Sequence, residues 1–238
     1  MMTPFTRYAR ITTKLPREFV LLQGEGCVWK RCRFCDYYTD VSDDPFAVNR
    51  PILAQVTGEY GVLDVINSGS APELDSQTQQ KIMEIVRQKP IHTLWFESHY
   101  RYRDQLRDFA AKYAPAQVKF RCGIETFCGP MRTWLQKGVP ENVTAAELRR
   151  YFHGVCLLAC FQGQTREMIR ADIETASRYF EYFSVNIFCD NTTSVRRDPT
   201  LVRWFVDEIY PQWKENPHVE ILIENTDLGV GSECVPPK

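Results

Sequence analysis

Short apolar runs rich in β-branched and aromatic residues alternate along the chain with segments in which apolar residues recur every three to four positions. The runs have the length of buried strands, and the segments are typical of helices that bury one face. We predict seven strands, at 19–22, 62–66, 93–96, 118–121, 155–160, 184–188 and 219–223.

Two of the intervening segments show the helical pattern clearly. One apolar face consists of Leu106, Phe109, Ala110 and Tyr113, and a second consists of Met168, Ile169, Ile173, Ala176 and Phe180. Helix starts are marked as well. Thr144 and Glu147 have the spacing of a capping box, and Asp198 before Pro199 places a cap next to a proline at the first helical position.

Alternation of strands and helices predicts an α/β fold with parallel strands joined by right-handed crossovers. Six such units and a last strand fit a partial (β/α)6 barrel with an additional C-terminal strand, and an open doubly wound sheet is the alternative. We expect a single domain over 1–238 with its core at about 15–226. The segment around Leu15 and Pro16 and the end of the chain, 229–238, are predicted to be peripheral loops.

Composition narrows the class of protein. The formal net charge is -1 and the hydrophobic fraction is 44%, so no overall field draws the chain to nucleic acid or to a membrane surface. No window approaches the roughly 18 apolar residues of a membrane span, and the N-terminus lacks the apolar core of a signal peptide. We therefore expect a cytoplasmic protein.

Three of the nine cysteines lie close together directly after the first predicted strand, at Cys27, Cys32 and Cys35. Thiolates at this spacing can converge on a soft metal centre. Three ligands leave one iron of a [4Fe-4S] cluster open to a substrate or cofactor. A structural zinc site, completed by Cys122, Cys128 or His99, and uncoordinated thiols are the alternatives. Cys156 and Cys160 lie in an apolar run, where packing in the core is the simplest reading.

Polar residues follow each predicted strand, where the chemistry of such barrels is located. They include Gln23, Asn67, Ser68, Glu97, Glu125, Gln162, Asn186, Asp190, Glu224 and Asp227. A polar group at every strand end predicts a lined cavity. For each lone carboxylate the alternative is a solvated loop end or a cap for backbone amides.

The cysteine loop resembles that of the radical S-adenosylmethionine (SAM) superfamily, in which an aromatic residue precedes the last cysteine, as Phe34 does here. The spacing is Cys-x4-Cys-x2-Cys, one residue longer than the usual Cys-x3-Cys-x2-Cys. The resemblance implies that Cys27, Cys32 and Cys35 hold a [4Fe-4S] cluster whose fourth iron binds SAM. It also implies that one electron cleaves SAM to a 5′-deoxyadenosyl radical, which abstracts hydrogen from a small substrate.

The same resemblance implies a set of cofactor-binding residues. Ser68, Gly69 and Ser70 stand where the superfamily contacts the SAM amino group. Glu125 stands where polar residues contact the ribose and carboxylate, and Gln162 lies in the segment near the adenine. Phe34 completes the set.

Within the superfamily, the chain is most similar to the queuine lyase family of bacterial queuosine salvage, in its size, in residues 26–40 and in residues 67–70. This implies cleavage of a carbon–nitrogen bond in a 7-deazaguanine base such as queuine, with release of preQ1. It further implies an electron donor such as flavodoxin or ferredoxin.

Positions at strand ends suggest how such a base is bound. A carboxylate that accepts two adjacent N–H groups is predicted among Glu97, Asp190, Glu224 and Asp227. Phe188, Trp95, Tyr100 or Phe127 would stack on the ring. Asn, Gln or carboxylate side chains would bind the diol, and Asn186 is among the predicted substrate-binding residues.

Other functions stay open from the sequence. Another radical SAM reaction on a small molecule, activation of a glycyl-radical partner and a zinc-stapled binding module are the rivals. The run from His99 to Arg103 alternates aromatic and basic residues and fits either a nucleic-acid contact or the start of an amphipathic helix. At a near-neutral net charge, nucleic acid is an unlikely partner and tRNA is not the first substrate to expect.

Overall fold

A computed structural model describes residues 5–231. All eight strands found there belong to one sheet, in which neighbours in sequence are also neighbours in space. The strands are β1 (Tyr8–Ile11), β2 (Arg17–Leu22), β3 (Val62–Asn67), β4 (Thr93–Glu97), β5 (Gln117–Glu125), β6 (Gly154–Ala159), β7 (Tyr182–Ile187) and β8 (Val219–Leu222).

The strand directions confirm the predicted barrel. Every pair from β2 to β8 is parallel, whereas β1 runs antiparallel to β2. Strands β2 to β7 are the six barrel strands and β8 is the additional C-terminal one. All seven predicted strands are present. The sequence did not predict β1, because this edge strand has only four residues and is largely half-buried, which leaves no apolar run to detect.

Helices and turns connect the strands. The α-helices are α1 (Pro45–Leu53), α2 (Ser76–Gln88), α3 (Leu106–Ala111), α4 (Gly129–Trp134), α5 (Ala145–Leu148), α6 (Arg166–Tyr179), α7 (Pro199–Trp204) and α8 (Tyr210–Trp213). Three 3₁₀ turns lie at Tyr37–Thr39, Ala71–Glu73 and Tyr100–Gln105, and a π-helical turn at Phe205–Ile209 joins α7 to α8.

The longest crossover helix, α6, forms as its sequence predicts. The hydroxyl of Thr165 accepts from the Met168 amide at 3.2 Å and caps its first turn. Ile169, Ile173 and Ala176 are buried along one face. The other predicted helical face is divided. The α-helix there covers only Leu106–Ala111 and is preceded by a 3₁₀ turn, although Tyr113 beyond it is fully buried.

The two predicted helix caps have different outcomes. Asp198 caps α7 by accepting from the amides of Thr200 and Leu201. Thr144 accepts from the Glu147 amide at 3.2 Å, but the Glu147 carboxylate accepts from the Tyr100 hydroxyl at 2.5 Å instead of completing a capping box. A tertiary hydrogen bond replaces the local one.

Side chains inside the sheet show how far it curls. Arg17 on β2 donates two hydrogen bonds of 2.8 Å to the Glu220 carboxylate on β8, although five strands separate them. Asp64 accepts from Arg17 at 2.8 Å and from Arg121 at 2.5 Å. These four side chains, which we call the floor layer, close the amino-terminal end of the barrel.

One peripheral segment packs near the floor layer, and a bridge joins the two ends of the described chain. Leu15 packs against Val62, Trp95 and Tyr182. Thr6 and Gly231 form an antiparallel bridge between the two ends of the described chain. The rest of the predicted C-terminal loop, 232–238, lies outside the described residues. None of the helices at 5–231 is long and apolar enough to cross a membrane.

Candidate active site at the carboxyl ends of the strands

The cysteine loop leaves the end of β2 and is anchored by Trp29. The indole Nε1 donates to the Gln136 carbonyl at 2.7 Å, and the ring stacks on His99 with centroids 5.8 Å apart. Trp29 also fits against Gly138, where a Cβ atom would lie 2.4 Å from the ring. Gly138 has φ +74, so both its backbone conformation and this close approach require glycine.

A second set of contacts anchors the far end of the loop. The Phe34 carbonyl accepts from Asn191 Nδ2 at 2.7 Å, and Asp36 accepts from the Thr192 hydroxyl at 2.9 Å. The Phe34 ring packs against a small apolar cluster that includes Phe188. The loop therefore bridges the barrel mouth from the β5 side to the β7 side.

The segment after β3 lies directly against the first cysteine. A Cβ atom on Gly69 would lie 3.4 Å from the Cys27 Cα atom and 2.3 Å from Glu73 Oε2. The Ser68 hydroxyl accepts from the Gly24 amide at 3.0 Å, and the Ser70 hydroxyl accepts from the His99 amide at 3.1 Å. These three residues therefore form a backbone cradle beside Cys27, and their contact with the SAM amino group stays a prediction.

Glu73 organises this cradle and was missed from the sequence. Its carboxylate accepts from the Ser70 amide at 2.7 Å, the Val28 amide at 3.1 Å and the Tyr102 hydroxyl at 2.6 Å. It thereby ties the cysteine loop to the turns that follow β3 and β4. The Ser-x-x-Glu spacing from Ser70 to Glu73 is a capping-box signature that would have identified it.

The donor set consists of three thiols on one loop, which is the ligand type of an iron–sulfur cluster. Within residues 5–231, no group of three His, Cys, Asp or Glu side chains is placed to hold a metal ion. Burial raises the pKa of Cys32 to about 11 and that of Cys35 to about 12, so metal binding must displace their protons.

A buried ion pair lies beside the cysteines. Lys137 Nζ is 2.7 Å from Glu125 Oε1 at the end of β5. Although burial disfavours a charged ammonium, Glu125 raises the pKa of Lys137, so the lysine stays protonated. Glu125 has φ +67, at the point where the pairing of β5 with β6 shifts register. This strained backbone directs the carboxylate towards Lys137.

Gly123 marks where three charged groups converge. A Cβ atom there would lie 3.0 Å from Glu125 Oε1, 3.1 Å from Lys137 Nζ and 3.2 Å from Glu97 Oε1. The sequence predicted both carboxylates but missed Lys137. No local pattern marks that residue, which follows a short helix and enters the site through tertiary contacts.

Deeper in the barrel lies a layer of incompletely paired polar groups, which we call the middle layer. Its members are Glu97, Cys156 and Asn186, and it borders Arg121 of the floor layer. In the described part of the chain, the Glu97 carboxylate accepts only from the Cys156 thiol, at 3.8 Å. Arg121 Nε and Asn186 Oδ1 are buried without a described hydrogen-bond partner. Burial raises the pKa of Glu97, and nearby Arg121 only partly opposes this effect.

The other predicted substrate residues are engaged elsewhere. Asp227 accepts from the Ile223 amide at 2.6 Å and the Glu224 amide at 3.0 Å. Glu224 is 3.3 Å from Arg197, whose amide donates to Asp190 at 2.8 Å. Asp190, Glu224 and Asp227 therefore have partners within the protein at the ends of β7 and β8, and their role in substrate binding stays a prediction.

The predicted aromatic and adenine contacts are also located. Phe188 is buried edge-on against Phe161, and Trp95 lies with Tyr182 near the floor. Phe127 stacks on Phe180. Gln162 is exposed, and its amide donates to the Arg196 carbonyl at 2.9 Å. The His99 to Arg103 run forms a 3₁₀ turn in which Tyr102 bonds Glu73, which supports the structural interpretation of this segment.

Two solved structures are similar to this chain. The chain is similar to a solved queuine lyase from Clostridium spiroforme bound to SAM and queuine, with 38% identity and a TM-score of 0.91. The match covers 96% of this chain and 100% of that chain. Streptococcus suis SuiB has 14% identity and a TM-score of 0.54, over 87% of this chain and 50% of that chain, and shares the fold alone. No protein-family model and no curated protein matches.

Proposed function

The chain belongs to the queuine lyase family of radical SAM enzymes, and on that premise we propose that it cleaves the carbon–nitrogen bond between the cyclopentenediol and the aminomethyl-deazaguanine of queuine. The products are preQ1 and the separated ring. The observation that carries the proposal is the match along the full length of both chains, together with three cysteines gathered in one loop at the barrel mouth.

Residues of the cysteine loop would hold the cofactors. Cys27, Cys32 and Cys35 would bind three irons of a [4Fe-4S] cluster, which together with SAM supplies a 5′-deoxyadenosyl radical able to abstract hydrogen. The cradle of Ser68, Gly69 and Ser70 offers its backbone beside Cys27. Since side chains larger than glycine collide there, this backbone is positioned to approach a ligand closely.

The remaining cofactor contacts follow from charge and position. Glu125, paired with Lys137, supplies a fixed dipole beside the cysteines that orients the ribose and carboxylate of SAM. Phe34 covers the cluster side, with Lys137 Nζ 5.6 Å from the centre of its ring. Gln162 is exposed at the end of β6 and is the weakest member of the predicted set.

Glu97 is our candidate for the carboxylate that reads the base. A guanine-like edge presents two adjacent N–H donors, and one carboxylate accepts both in a charge-assisted pair. Of the four candidate carboxylates, Asp190, Glu224 and Asp227 already accept from arginine or from backbone amides. Glu97 keeps its acceptor capacity at a half-buried position in the barrel, where hydrogen bonds are stronger than in bulk water.

Asn186 is our candidate for the diol. Its buried Oδ1 has no described partner, and leaving such an acceptor unsatisfied is costly. A hydroxyl of the ring would satisfy it. Phe188 then acts indirectly, since its ring supports the apolar cluster against which Phe34 packs.

The partners and compartment complete the proposal. We expect a one-electron donor such as flavodoxin or ferredoxin, no nucleic-acid substrate, and a cytoplasmic location. Cytoplasmic reductants suit this chain, because its described cysteines are all free of disulfide bonds.

The test is anaerobic reconstitution of the cluster, followed by SAM, dithionite and queuine, with products measured by mass spectrometry. We expect a brown protein with broad absorption near ~400 nm, and queuine-dependent formation of both 5′-deoxyadenosine and preQ1. Deoxyadenosine without preQ1 would overturn the lyase assignment and point to another radical SAM reaction or to a glycyl-radical partner. A colourless protein that binds zinc would overturn both.

A further inference from the structure

The outer face of the cysteine loop carries three exposed cations, Lys30, Arg31 and Arg33. They stand out in a chain whose net charge is -1. Across residues 5–231, none of the three has a carboxylate oxygen close enough for an ion pair with its side chain. We call Lys30, Arg31 and Arg33 the basic loop face.

The two arginines are held in place by aromatic rings. The Arg31 guanidinium lies 5.3 Å from the centre of the Trp29 ring, and that of Arg33 lies 5.5 Å from the centre of the Trp134 ring. Trp29 is itself fixed by its hydrogen bond to Gln136, and Trp134 stacks on Phe161 at 6.2 Å. Charges held on rigid supports lose little entropy when a partner docks.

Exposed apolar side chains surround these charges. Val28 is 62% exposed, Tyr37 is 60% exposed and Trp134 is 41% exposed. Arginine and aromatic residues together are enriched where proteins bind other proteins. Val28 and Tyr37 lie on the segment that carries the cysteines and Trp134 ends α4 beside it, and core packing does not account for their exposure to solvent.

The cations of the basic loop face lie between the cysteines along the chain. Lys30 and Arg31 lie between Cys27 and Cys32, and Arg33 lies between Cys32 and Cys35. Each cation is therefore within three positions of a cysteine on the same loop. A partner docked here covers the shortest route from solvent to the metal ligands.

We propose that the basic loop face, with Val28, Tyr37 and Trp134, is the docking site for an acidic one-electron carrier protein. The inference rests on the proposed function, which requires an electron at this loop. A flavodoxin hydroquinone docked here gives up one electron and becomes the semiquinone, and the cluster held by the three cysteines is reduced by that electron. The interface is small and dissociates readily, as in other electron-transfer complexes.

Nucleic acid is the competing class of partner for a basic and aromatic face. Three cations on one short loop provide few phosphate contacts, whereas proteins that bind nucleic acid tightly neutralise roughly 6–10 phosphates. Exposed carboxylates also flank the loop, at Glu25 and Asp43. These features favour a protein with a compact acidic patch over a long polyanion.

The test uses the cluster-loaded enzyme and the double variant Arg31→Glu/Arg33→Glu. Stopped-flow absorbance follows reduction of the cluster by flavodoxin hydroquinone, and a second series measures preQ1 formation with dithionite as the reductant. We expect the second-order rate with flavodoxin to fall at least about tenfold at low salt and to approach the wild-type rate at about 0.5 M salt, where charges are screened. Turnover with dithionite should stay within twofold of wild type.

Arg107→Glu is the matched control, because Arg107 is an exposed arginine on α3, a different element from the cysteine loop. It should leave both rates unchanged. A double variant reduced by flavodoxin at the wild-type rate would overturn the proposal. An equal loss with dithionite would overturn it too, since the arginines would then serve the site itself.

Gel-shift titration with tRNA tests the competing possibility that the basic loop face binds nucleic acid. Binding by the wild type that the double variant loses, with flavodoxin reduction intact, would assign the face to nucleic acid. Failure of the lyase assignment is seen separately, as absence of preQ1 from the wild-type enzyme with dithionite, because cluster reduction is measured without queuine.

Discussion

The floor and middle layers of the barrel are both polar, but the floor side chains are buried and paired, whereas Glu97 and Asn186 of the middle layer are half-buried and incompletely paired. In the floor layer, Asp64 is bracketed by Arg17 and Arg121, and Arg17 also pairs with Glu220. In the middle layer, Glu97 has a thiol as its only described donor, and Asn186 Oδ1 has no described partner. The floor layer comes from β2, β3, β5 and β8, and the middle layer comes from β4, β6 and β7.

Their pKa directions differ accordingly. Burial alone would raise the pKa of Asp64, but the adjacent Arg121 and Arg17 hold it below its usual value. The pKa of Glu97 is raised, because burial outweighs the opposing effects of Arg121 and Lys137. A carboxylate whose partners are all within the protein stabilises the fold, whereas one left without them is available to a ligand.

Breaking the floor layer should produce the largest effect on stability. Asp64→Leu leaves two buried arginines facing Glu220 alone, and removal of one partner from such a network costs about 3–5 kcal/mol. The free energy of unfolding, measured by urea titration with circular dichroism, should fall by this amount. The control Glu59→Gln removes an exposed pair with Arg10 and should cost no more than about 1 kcal/mol. Equal losses in both variants would show that the buried network stabilises the fold no more than the exposed pair does.

Glu97→Gln should separate binding from stability in the middle layer. The amide replaces one acceptor by a donor that faces the N–H groups of the base, so queuine affinity should fall about 30- to 100-fold. Unfolding free energy should be unchanged or raised, because a buried and poorly paired charge is removed. Isothermal titration of the cluster-loaded, SAM-bound enzyme measures the affinity.

The matched control for Glu97→Gln is Glu224→Gln. Glu224 pairs with Arg197 outside the convergence at Gly123, and its variant should bind queuine within about twofold of wild type. Unchanged affinity for both variants would remove Glu97 from the site.

Asp172 on α6, outside the barrel interior, is a second carboxyl whose pKa is raised by burial. Asp172 is buried and accepts from the Phe127 amide at 2.7 Å. The nearby Arg132 guanidinium donates instead to backbone carbonyls. Burial raises the pKa of Asp172 to about 6, so the neutral acid is favoured in the folded state.

The sign of the resulting pH dependence follows. Asp172 makes its full contribution to the free energy of unfolding at pH values below the pKa that its carboxyl has in the unfolded chain. This contribution is lost as the pH rises through about 6. Relative to Asp172→Asn, the wild type should therefore lose about 2 kcal/mol of stability between pH 4 and pH 7.5. Urea titrations at several pH values test this prediction, and parallel curves for the two proteins would contradict it.

Asp227→Ala should have the smallest effect. Its carboxylate binds two backbone amides after β8, so its loss should cost about 1 kcal/mol of unfolding free energy and leave queuine affinity unchanged. Asp43→Ala, at an exposed loop position, provides the reference for a change without cost. A large loss of affinity in Asp227→Ala would return this residue to the substrate site.

Much of the fold was predictable because its signals are local. Seven strands appear as apolar runs, Asp198 before Pro199 marks a helix start, and the cysteine spacing with Phe34 indicates the metal loop. These features depend on residues a few positions apart, and hydrogen bonding and side-chain periodicity act over the same range. The edge strand β1 escaped prediction, because it is short and largely half-buried.

The sequence by itself determined seven of the eight described strands, and it predicts Cys27, Cys32 and Cys35 as metal ligands. Only the tertiary structure decided which strand-end carboxylates remain available, because their partners are distant in sequence: Glu224 pairs with Arg197 across 27 positions and Arg17 with Glu220 across 203. Lys137 likewise enters the site through contacts that no local pattern encodes, whereas Glu73 carries a local capping-box signature. A carboxylate at a strand end looks the same in sequence whether or not it has a partner, since pairing is a property of the folded barrel.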